Sequence, residues 1–296
     1  MDTPAPSSDS TDAAPHEPLW LIVWKRLRRS PLSLLGLAIC VAMAVVALAG
    51  PALAPHPPNE QVGTREASLA PPSQGYWCGQ DDLGRCIFSR LLHGARLTLG
   101  AGVSTVLFGM LIGVPLGLAS GYFRGWVDSV VMRATDILLA FPDILLALAV
   151  MAALGHNLRN AMIAVAIVFI PKFARVARAA ALQESGKDYI LAARGLGAGH
   201  GAILLRHVLP NCLPPLLVIS TLSLGTAILY TSALSFLGLG AQPPAPEWGA
   251  MLAEGRDVFT FAPHLVLFPG LAIAISVFGV NLLGDGLRDA LDVRIK

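Results

Sequence analysis

The residue types that most often carry chemistry are present in this sequence, but they form no catalytic or metal-binding pattern. The four cysteines, Cys40, Cys78, Cys86 and Cys212, have none of the close pair spacings used by zinc or iron–sulfur sites. The seven histidines are scattered, and no arrangement resembles a nucleophile with its base. The sequence also lacks the Gly-x-x-x-x-Gly-Lys-Ser/Thr loop expected of a chain that binds ATP directly. We therefore predict no catalytic residue, no metal and no cofactor in this chain.

Ionisable residues inside an apolar stretch are the next candidates. Asp143 follows Pro142, where a kink is expected, and Arg133 lies three residues before Asp136. Ionisable groups at membrane depth usually face a cavity or an oppositely charged partner. Asp143 therefore faces a polar cavity, pairs with a basic group such as Lys172, or lies near the membrane interface. A structural role is the favoured interpretation.

Four glycines, Gly109, Gly113, Gly117 and Gly121, follow one another at intervals of four residues. On a helix this spacing makes a smooth stripe, which lets a neighbouring backbone approach closely in lipid, where packing rather than hydrophobicity drives association. The stripe predicts a tightly packed helix bundle and says little about function.

The composition indicates which elements position these residues. Of the 296 residues, 54% are hydrophobic and only 14% are charged, and the mean hydropathy is +0.64, whereas about a quarter of the residues of a soluble domain are charged. The net charge of +2 is too small to indicate a nucleic-acid partner. A helix crosses the ~30 Å hydrocarbon core with about 20 residues. We predict an all-α integral membrane protein with six transmembrane helices, over residues 31–54, 97–120, 137–154, 161–173, 213–239 and 263–284.

Lys and Arg predict the orientation, because basic loops stay in the cytoplasm. They cluster at Lys25, Arg26, Arg28 and Arg29, at Lys172, Arg175, Arg178, Lys187, Arg194 and Arg206, and at Arg288, Arg294 and Lys296. Both termini are then cytoplasmic. The predicted organisation is a cytoplasmic tail (1–30, disordered over 1–18), the first transmembrane helix (31–54), an outer segment (55–96) with a short amphipathic helix over 81–92, and a core domain with five transmembrane helices (97–296).

The cytoplasmic connection over about 180–210 is the most informative part of the chain. It contains the run DYILAARGLG (188–197) and closes with Leu209-Pro210, which is typical of the start of a helix. Two alanines, Ala192 and Ala193, allow close docking of a short helix, a glycine can stop it, and the basic residues suit an acidic partner. A solvated loop with one helical turn is the alternative.

The pattern Leu-Ala-Ala-x-x-x-Gly…Leu-Pro over 191–210 resembles the coupling-loop signature of bacterial ATP-binding-cassette import permeases, in which the first position is usually Glu. Several other runs resemble the dipeptide/oligopeptide permease family, specifically its second permease subunit. They are DDLGR (81–85), GYFRGW (121–126), SFLGLG (235–240), WGAM (248–251) and NLLGDGLRD (281–289). The resemblance extends from about residue 30 to the C-terminus.

This resemblance implies a multi-pass importer permease of the bacterial inner membrane, whose coupling helix fits a groove on an ATPase subunit. The implied partners are a homologous second permease, one or two ATPase subunits that carry ATP and Mg²⁺, an extracytoplasmic peptide-binding protein, and a peptide substrate. Asp143 would belong to the translocation path if it meets a peptide ammonium. Leu191 departs from the usual Glu, so we expect apolar contact to replace a charge-assisted one. The implied coupling residues are Tyr189, Leu191, Ala192, Ala193, Arg194, Gly197, Leu209 and Pro210.

Cys78 and Cys86 both depart from the family pattern of the outer segment, on the oxidising side of the membrane. They form either a local disulfide or two isolated thiols. Two further function classes stay open beside the importer permease. An intramembrane enzyme would need a dense polar constellation within its spans, and a secondary transporter would act alone, driven by ions.

Overall fold

The computed structural model describes residues 24–61 and 68–291. The predicted tail over 1–18 and the basic residues Arg294 and Lys296 lie outside them. Within these ranges the chain is helical apart from turns and two isolated β-bridges. The helices are α1 (Pro31–Leu53), α2 (Ile87–Phe123), α3 (Gly125–Leu139), α4 (Asp143–Leu154), α5 (Leu158–Ser185), α6 (Asp188–Gly195), α7 (His200–Ile203), α8 (Leu209–Phe236), α9 (Trp248–Arg256) and α10 (His264–Leu291), with a π-helical turn, Leu204–Val208, between α7 and α8.

Five described segments are long and apolar enough to cross a membrane: α1, α2, α5, the continuous His200–Phe236 that ends with α8, and α10. Helices α3 and α4 pass this test only as a pair, bent by 93° where they meet. The predicted six spans are therefore reached only if the bent pair counts as one, and the third span, predicted over 137–154, has its break at the position where a kink is expected. Pro142 explains the break, because it cannot donate to a helix and restricts the residue before it.

The outer segment differs from its prediction. Among the described residues no separate amphipathic helix covers 81–92, since α2 begins at Ile87 and runs without a break for 37 residues. Before it lies a turn in which the Arg85 backbone N–H and Nε donate to Asp81 at 2.8 and 2.6 Å. Both side chains are buried. The alternation of charged and apolar residues was misleading because three of the four charged side chains, Asp81, Arg85 and Arg90, are buried in ion pairs, and Asp82 alone of the four is exposed.

A buried cluster joins α9 to this turn. Glu254 on α9 accepts hydrogen bonds from Arg85 (3.0 Å) and Arg90 (2.9 Å). Burial raises the pKa of Glu254 above its ordinary value, although both arginines act in the opposite direction. Asp81, Asp82 and Glu254 are close enough together to hold a metal ion, but the two arginines already supply the positive charge that a metal would bring.

Helices α2 and α5 pack along the glycine stripe that the sequence predicts. A Cβ added at Gly117 would lie 2.2 Å from the carbonyl oxygen of Ala174 on α5, and one at Gly113 or Gly121 would lie 2.6 Å from another carbonyl of that helix. At Gly109 the nearest atom belongs to a side chain, at 3.1 Å. The two helices therefore meet main chain to main chain at the centre of the bundle.

The remaining spans surround this pair. Helix α5 continues well beyond the apolar stretch predicted over 161–173, as expected for a helix that extends toward the aqueous side. The main core contains Phe169 and Phe173 of α5 and Met151 of α4, all buried, with side chains from α2 and α8 around them. Helix α1 packs on α10, where a Cβ added at Gly36 would lie 2.6 Å from the Leu283 backbone nitrogen.

Candidate functional site

Helix α6 is held on the end of the bundle by buried aliphatic side chains. Ile190 on α6, Ile203 at the end of α7 and Val208 in the π-helical turn all lie within the main core, shielded from solvent. Leu209 and Pro210 open α8, as the sequence predicts. The segment is therefore a docked helix with its own anchors, and the alternative of a solvated loop is wrong.

The outward side of α6 is apolar and exposed. The side chain of Leu191 is 53% exposed and that of Leu196 is 90% exposed. Ala192 is exposed as well, and its four-residue spacing from Leu196 places the two on one helical stripe. Ala193 is partly buried, so the paired alanines have different surroundings. Exposed apolar patches of this kind mark contacts with other proteins.

Gly197 ends this segment with a backbone that other residues adopt only with strain. Its φ is +85°, in the left-handed region. The N–H groups of Leu196 and Ala198 donate to the carbonyls of Ala192 and Ala193, at 3.0 and 3.1 Å, which satisfies the last carbonyls of α6. The chain then turns sharply into α7, which fixes the direction in which the exposed stripe points.

A polar joint connects α6 to the ends of α5 and α8. The Tyr189 hydroxyl donates to Glu184 and accepts from Asn211 Nδ2 at 3.2 Å, while Lys187 pairs with Glu184 at 2.7 Å. Burial, followed by the hydrogen bond to Glu184, raises the pKa of Tyr189 to about 12. The hydroxyl therefore keeps its proton at neutral pH and remains a donor in this joint.

A second joint connects α6 to the end of α2. The Arg194 guanidinium lies 5.4 Å from the centre of the Tyr122 ring, and the Tyr122 hydroxyl is 2.9 Å from His200 Nδ1. Tyr122 is buried in the last turn of α2, one residue after the glycine stripe. A displacement of α6 would reach the α2–α5 pair through these packed side chains.

Three cations one turn apart on α5 pair with three carboxylates on α3 and α4. The pairs are Lys172–Asp143 (2.6 Å), Arg175–Asp136 (2.6 Å) and Arg178–Asp128 (2.5 Å). The Tyr230 hydroxyl of α8 also donates to Asp143, at 3.2 Å. Asp143 thus has the basic partner of the structural interpretation. Sequence reasoning missed the other two pairs, although the three-residue spacing of the cations was a visible signal of one charged face.

Cys78 and Cys86 are free and buried, so the structure does not contain the disulfide that the sequence suggested. Gln80 pairs with Cys86 across a short antiparallel bridge, which places Cys78 diagonally from Cys86. Burial, and then the neighbouring Cys86, raise the pKa of the Cys78 thiol to about 11.

Two family models match this chain. The model for a binding-protein-dependent transport system inner membrane component covers residues 113–296, and that for the N-terminal transmembrane domain of oligopeptide transport permease C covers residues 18–72. The first contains α6 and the whole ladder of ion pairs, and the second contains α1.

Curated relatives align over nearly their whole length. A dipeptide transport system permease protein, DppC, of Alkalihalophilus pseudofirmus is 43% identical over 295 residues, which are all of this chain and 95% of that protein. Glutathione transport system permease proteins, GsiD, of Pectobacterium atrosepticum and Escherichia coli are 45% and 47% identical over 277 residues, 94% of this chain and 92% and 91% of those proteins. Among solved structures, a chain of the MetNI methionine ABC transporter in an inward-facing conformation has a TM-score of 0.56 at 23% identity, over 68% of this chain and 96% of that one. This last likeness concerns the fold alone.

Proposed function

Because the chain belongs to the family of inner membrane components of binding-protein-dependent transport systems, we propose that it is one of the two permease subunits of an ATP-driven peptide importer. Membership makes it a multi-pass inner membrane protein of an ABC transport system. The proposal adds a homologous second permease, one or two ATPase subunits that bind ATP and Mg²⁺, and an extracytoplasmic peptide-binding protein. ATP hydrolysis is assigned to the partners, so this chain performs no chemistry.

The exposed stripe of α6 is the observation that carries the coupling proposal. Leu191, Ala192 and Leu196 offer apolar contact to a groove on an ATPase subunit, while Ile190 fixes the helix to the bundle. Leu191 stands where the family usually has Glu, and its exposed side chain fits the expected replacement of a charged contact by an apolar one. Arg194 supplies the nearby positive charge. The coupling residues would act by position and shape.

The direction of force follows from the two joints. An ATPase pair that closes on ATP would displace α6, and the contacts through Tyr189 and Tyr122 would pass this displacement to α5, α8 and α2. These spans form the centre of the bundle, so a path at the interface with the second permease would open alternately to each side. This assignment places α6 and both termini in the cytoplasm, in agreement with the distribution of basic residues.

Short peptides are the substrate class that the relatives support. Curated relatives are named for dipeptide and for glutathione transport, and both substrates are small, with free terminal or side-chain carboxylates and an ammonium group. A binding protein would select among such peptides before delivery. We therefore propose di- or oligopeptides as the substrates of this importer.

A size series at Ala192 tests the coupling proposal. In the complete complex reconstituted into liposomes, Ala192→Trp places a large ring on the exposed stripe. We expect peptide uptake to fall by at least about tenfold, which corresponds to a loss of ~1.4 kcal/mol in the contact between α6 and the ATPase subunit. Ala192→Ser is the matched control, because it keeps the size, and it should retain uptake. Normal uptake by the Trp variant, at normal levels of assembled complex, would exclude α6 as the docking helix.

A further inference from the structure

The Lys172–Asp143 pair lies deep in the membrane region. Lys172 is 14 residues into α5, about 21 Å from its start, and Asp143 is separated from the far end of α4 by about 17 Å. Gly113 on α2 gives a third measure of depth, because it packs beside Ile170, two residues before Lys172. Along the axis of α2, Gly113 lies about 5 Å from the middle of the uncharged stretch 97–123. All three place the pair inside a hydrocarbon core ~30 Å thick, so Lys172 belongs to the span and not to the cytoplasmic basic cluster in which the sequence pattern placed it.

The break between α3 and α4 lies beside this pair and cannot face lipid. Ala140, Phe141 and Pro142 are exposed, and the helix is interrupted over these residues. In the hydrocarbon region, non-helical backbone is tolerated only where protein or a water-filled cavity covers it. Broken helices at this depth are typical of substrate sites in transporters. This side of the bundle therefore faces protein or a water-filled space instead of lipid, and the interface with the proposed second permease would offer both.

The pair is accessible from that space. The side chains of Lys172 and Asp143 are 32% and 27% exposed, so a molecule in that space can reach both charges. Tyr230 donates to the same carboxylate oxygen that Lys172 contacts, and the Lys172 ammonium lies 5.2 Å from the centre of the buried Phe169 ring. The charges are thus held in place by an aromatic wall on one side and open on the other.

We propose that Asp143 and Lys172 form a binding site for the charged termini of a peptide during translocation. The peptide ammonium takes the place of Lys172 at the Asp143 carboxylate, and the peptide carboxylate binds the freed Lys172 ammonium. One ion pair becomes two, the total charge stays zero, and no charge is left unpaired at membrane depth. Tyr230 holds the Asp143 carboxylate during the exchange. The inference rests on the proposed function and adds a recognition site to it.

The geometry favours short peptides. An extended chain spans at most about 3.3–3.6 Å per residue, so the termini of a dipeptide are about 7 Å apart. Lys172 and Asp143 need to separate by only a few ångströms to admit such a zwitterion, because both groups end flexible side chains. The termini of a pentapeptide would be more than twice as far apart, and only one of them could be bound at a time.

Binding of radiolabelled dialanine to the assembled complex without its binding protein tests this site. The neutral pair Asp143→Asn with Lys172→Met leaves no uncompensated charge, a replacement that proteins often tolerate. We expect it to weaken dialanine binding at least about tenfold, because two charge-assisted contacts are lost. The matched control is Asp136→Asn with Arg175→Met, which removes the next ion pair of the ladder, whose side chains are 61% and 53% exposed. It should bind dialanine within about twofold of the wild type, because exposed pairs contribute little.

Several results would overturn the site. The first is an Asp143→Asn, Lys172→Met variant that binds dialanine as tightly as the wild type. The second is an equal loss of dialanine affinity in this variant and in the control variant. The third is no dialanine binding by the wild type at millimolar concentration. If the neutral pair fails to assemble, the swapped pair Asp143→Lys with Lys172→Asp decides, since both charges remain: retained binding supports the site, and loss in an assembled complex refutes it. ATP-driven uptake by the wild-type complex with its binding protein is measured in parallel. If the wild-type complex takes up peptide but the dialanine binding results overturn the site, only this inference is refuted. If the wild-type complex takes up no peptide, the proposed function itself is refuted.

Discussion

Alanine substitutions along the glycine stripe should destabilise the protein in an order set by the distance to α5. At Gly117 an added Cβ would lie 2.2 Å from a main-chain oxygen, where ordinary contact is 3.4–4 Å. Helix α5 cannot yield by rotating a side chain, so the two helices must separate by about 1 Å, and overpacking of this kind costs about 1–3 kcal/mol. Removing a glycine from a helix returns about 0.5–1 kcal/mol. The net loss at Gly117 therefore lies within about 0–2.5 kcal/mol, and the very short 2.2 Å approach to a main-chain oxygen places it in the upper part of that range, at about 1–2.5 kcal/mol.

Gly100 is the matched control, because it lies on the same helix and an added Cβ would meet nothing within 4 Å. Gly100→Ala should be neutral or slightly stabilising. Thermal unfolding of the assembled complex in detergent, followed by size-exclusion chromatography, should give a Tm for Gly117→Ala about 2–6 °C below wild type. Gly113→Ala should be intermediate and Gly109→Ala mild, since its nearest neighbour is a side-chain atom at 3.1 Å. A Tm for Gly117→Ala equal to or above that of Gly100→Ala would refute close helix packing at the stripe.

Three further predictions concern α6 and the outer cluster. Gly197→Ala forces a φ of +85° on a residue with a side chain, so ATPase activity stimulated by the binding protein should fall in the complex, whereas Gly195→Ala, where an added Cβ meets nothing within 4 Å, should keep it. Tyr189→Phe should lower the Tm at neutral pH. The folded-state pKa of Tyr189 is about 12, against an ordinary value of 10.0. The higher Tm of the wild type should therefore be present below pH 10 and vanish as the pH rises to 12. A Tm difference between wild type and Tyr189→Phe that stays constant with pH would contradict the Tyr189 joint. Glu254→Gln leaves Arg90 with a weaker partner in a buried cluster, so it should destabilise the complex by about 3 kcal/mol in thermal unfolding, and an unchanged Tm would show that the cluster is not structural.

The sequence predicted those features that depend on local pattern. Apolar runs located the spans, Pro142 predicted the kink that separates α3 from α4, and the four-residue glycine spacing predicted the close contact of α2 with another helix. The start of α8 at Leu209-Pro210 was likewise predictable from the two residues themselves. Each of these depends on the properties of one helix, which periodicity describes.

Features that join distant parts of the chain were not predictable in the same way. Arg178 and Asp128 are 50 residues apart and Arg85 and Glu254 are 169 apart, and nothing in either local pattern states the partner. The misassigned helix over 81–92 shows the same limit, because the charges that gave it an amphipathic pattern are satisfied by tertiary partners. Family resemblance indicated the proposed coupling residues, but only the structure separates the exposed Ala192 from the partly buried Ala193.

We propose that this chain is a dependent half of an ATP-driven gate. The most direct test is ATP hydrolysis in liposomes that contain the ATPase subunits and the second permease, with and without this chain, after addition of peptide-loaded binding protein. We predict stimulated hydrolysis and peptide uptake only when this chain is present, and none from the chain alone under an ion gradient. Peptide uptake by the purified chain alone, or full stimulation of ATP hydrolysis in its absence, would refute this role.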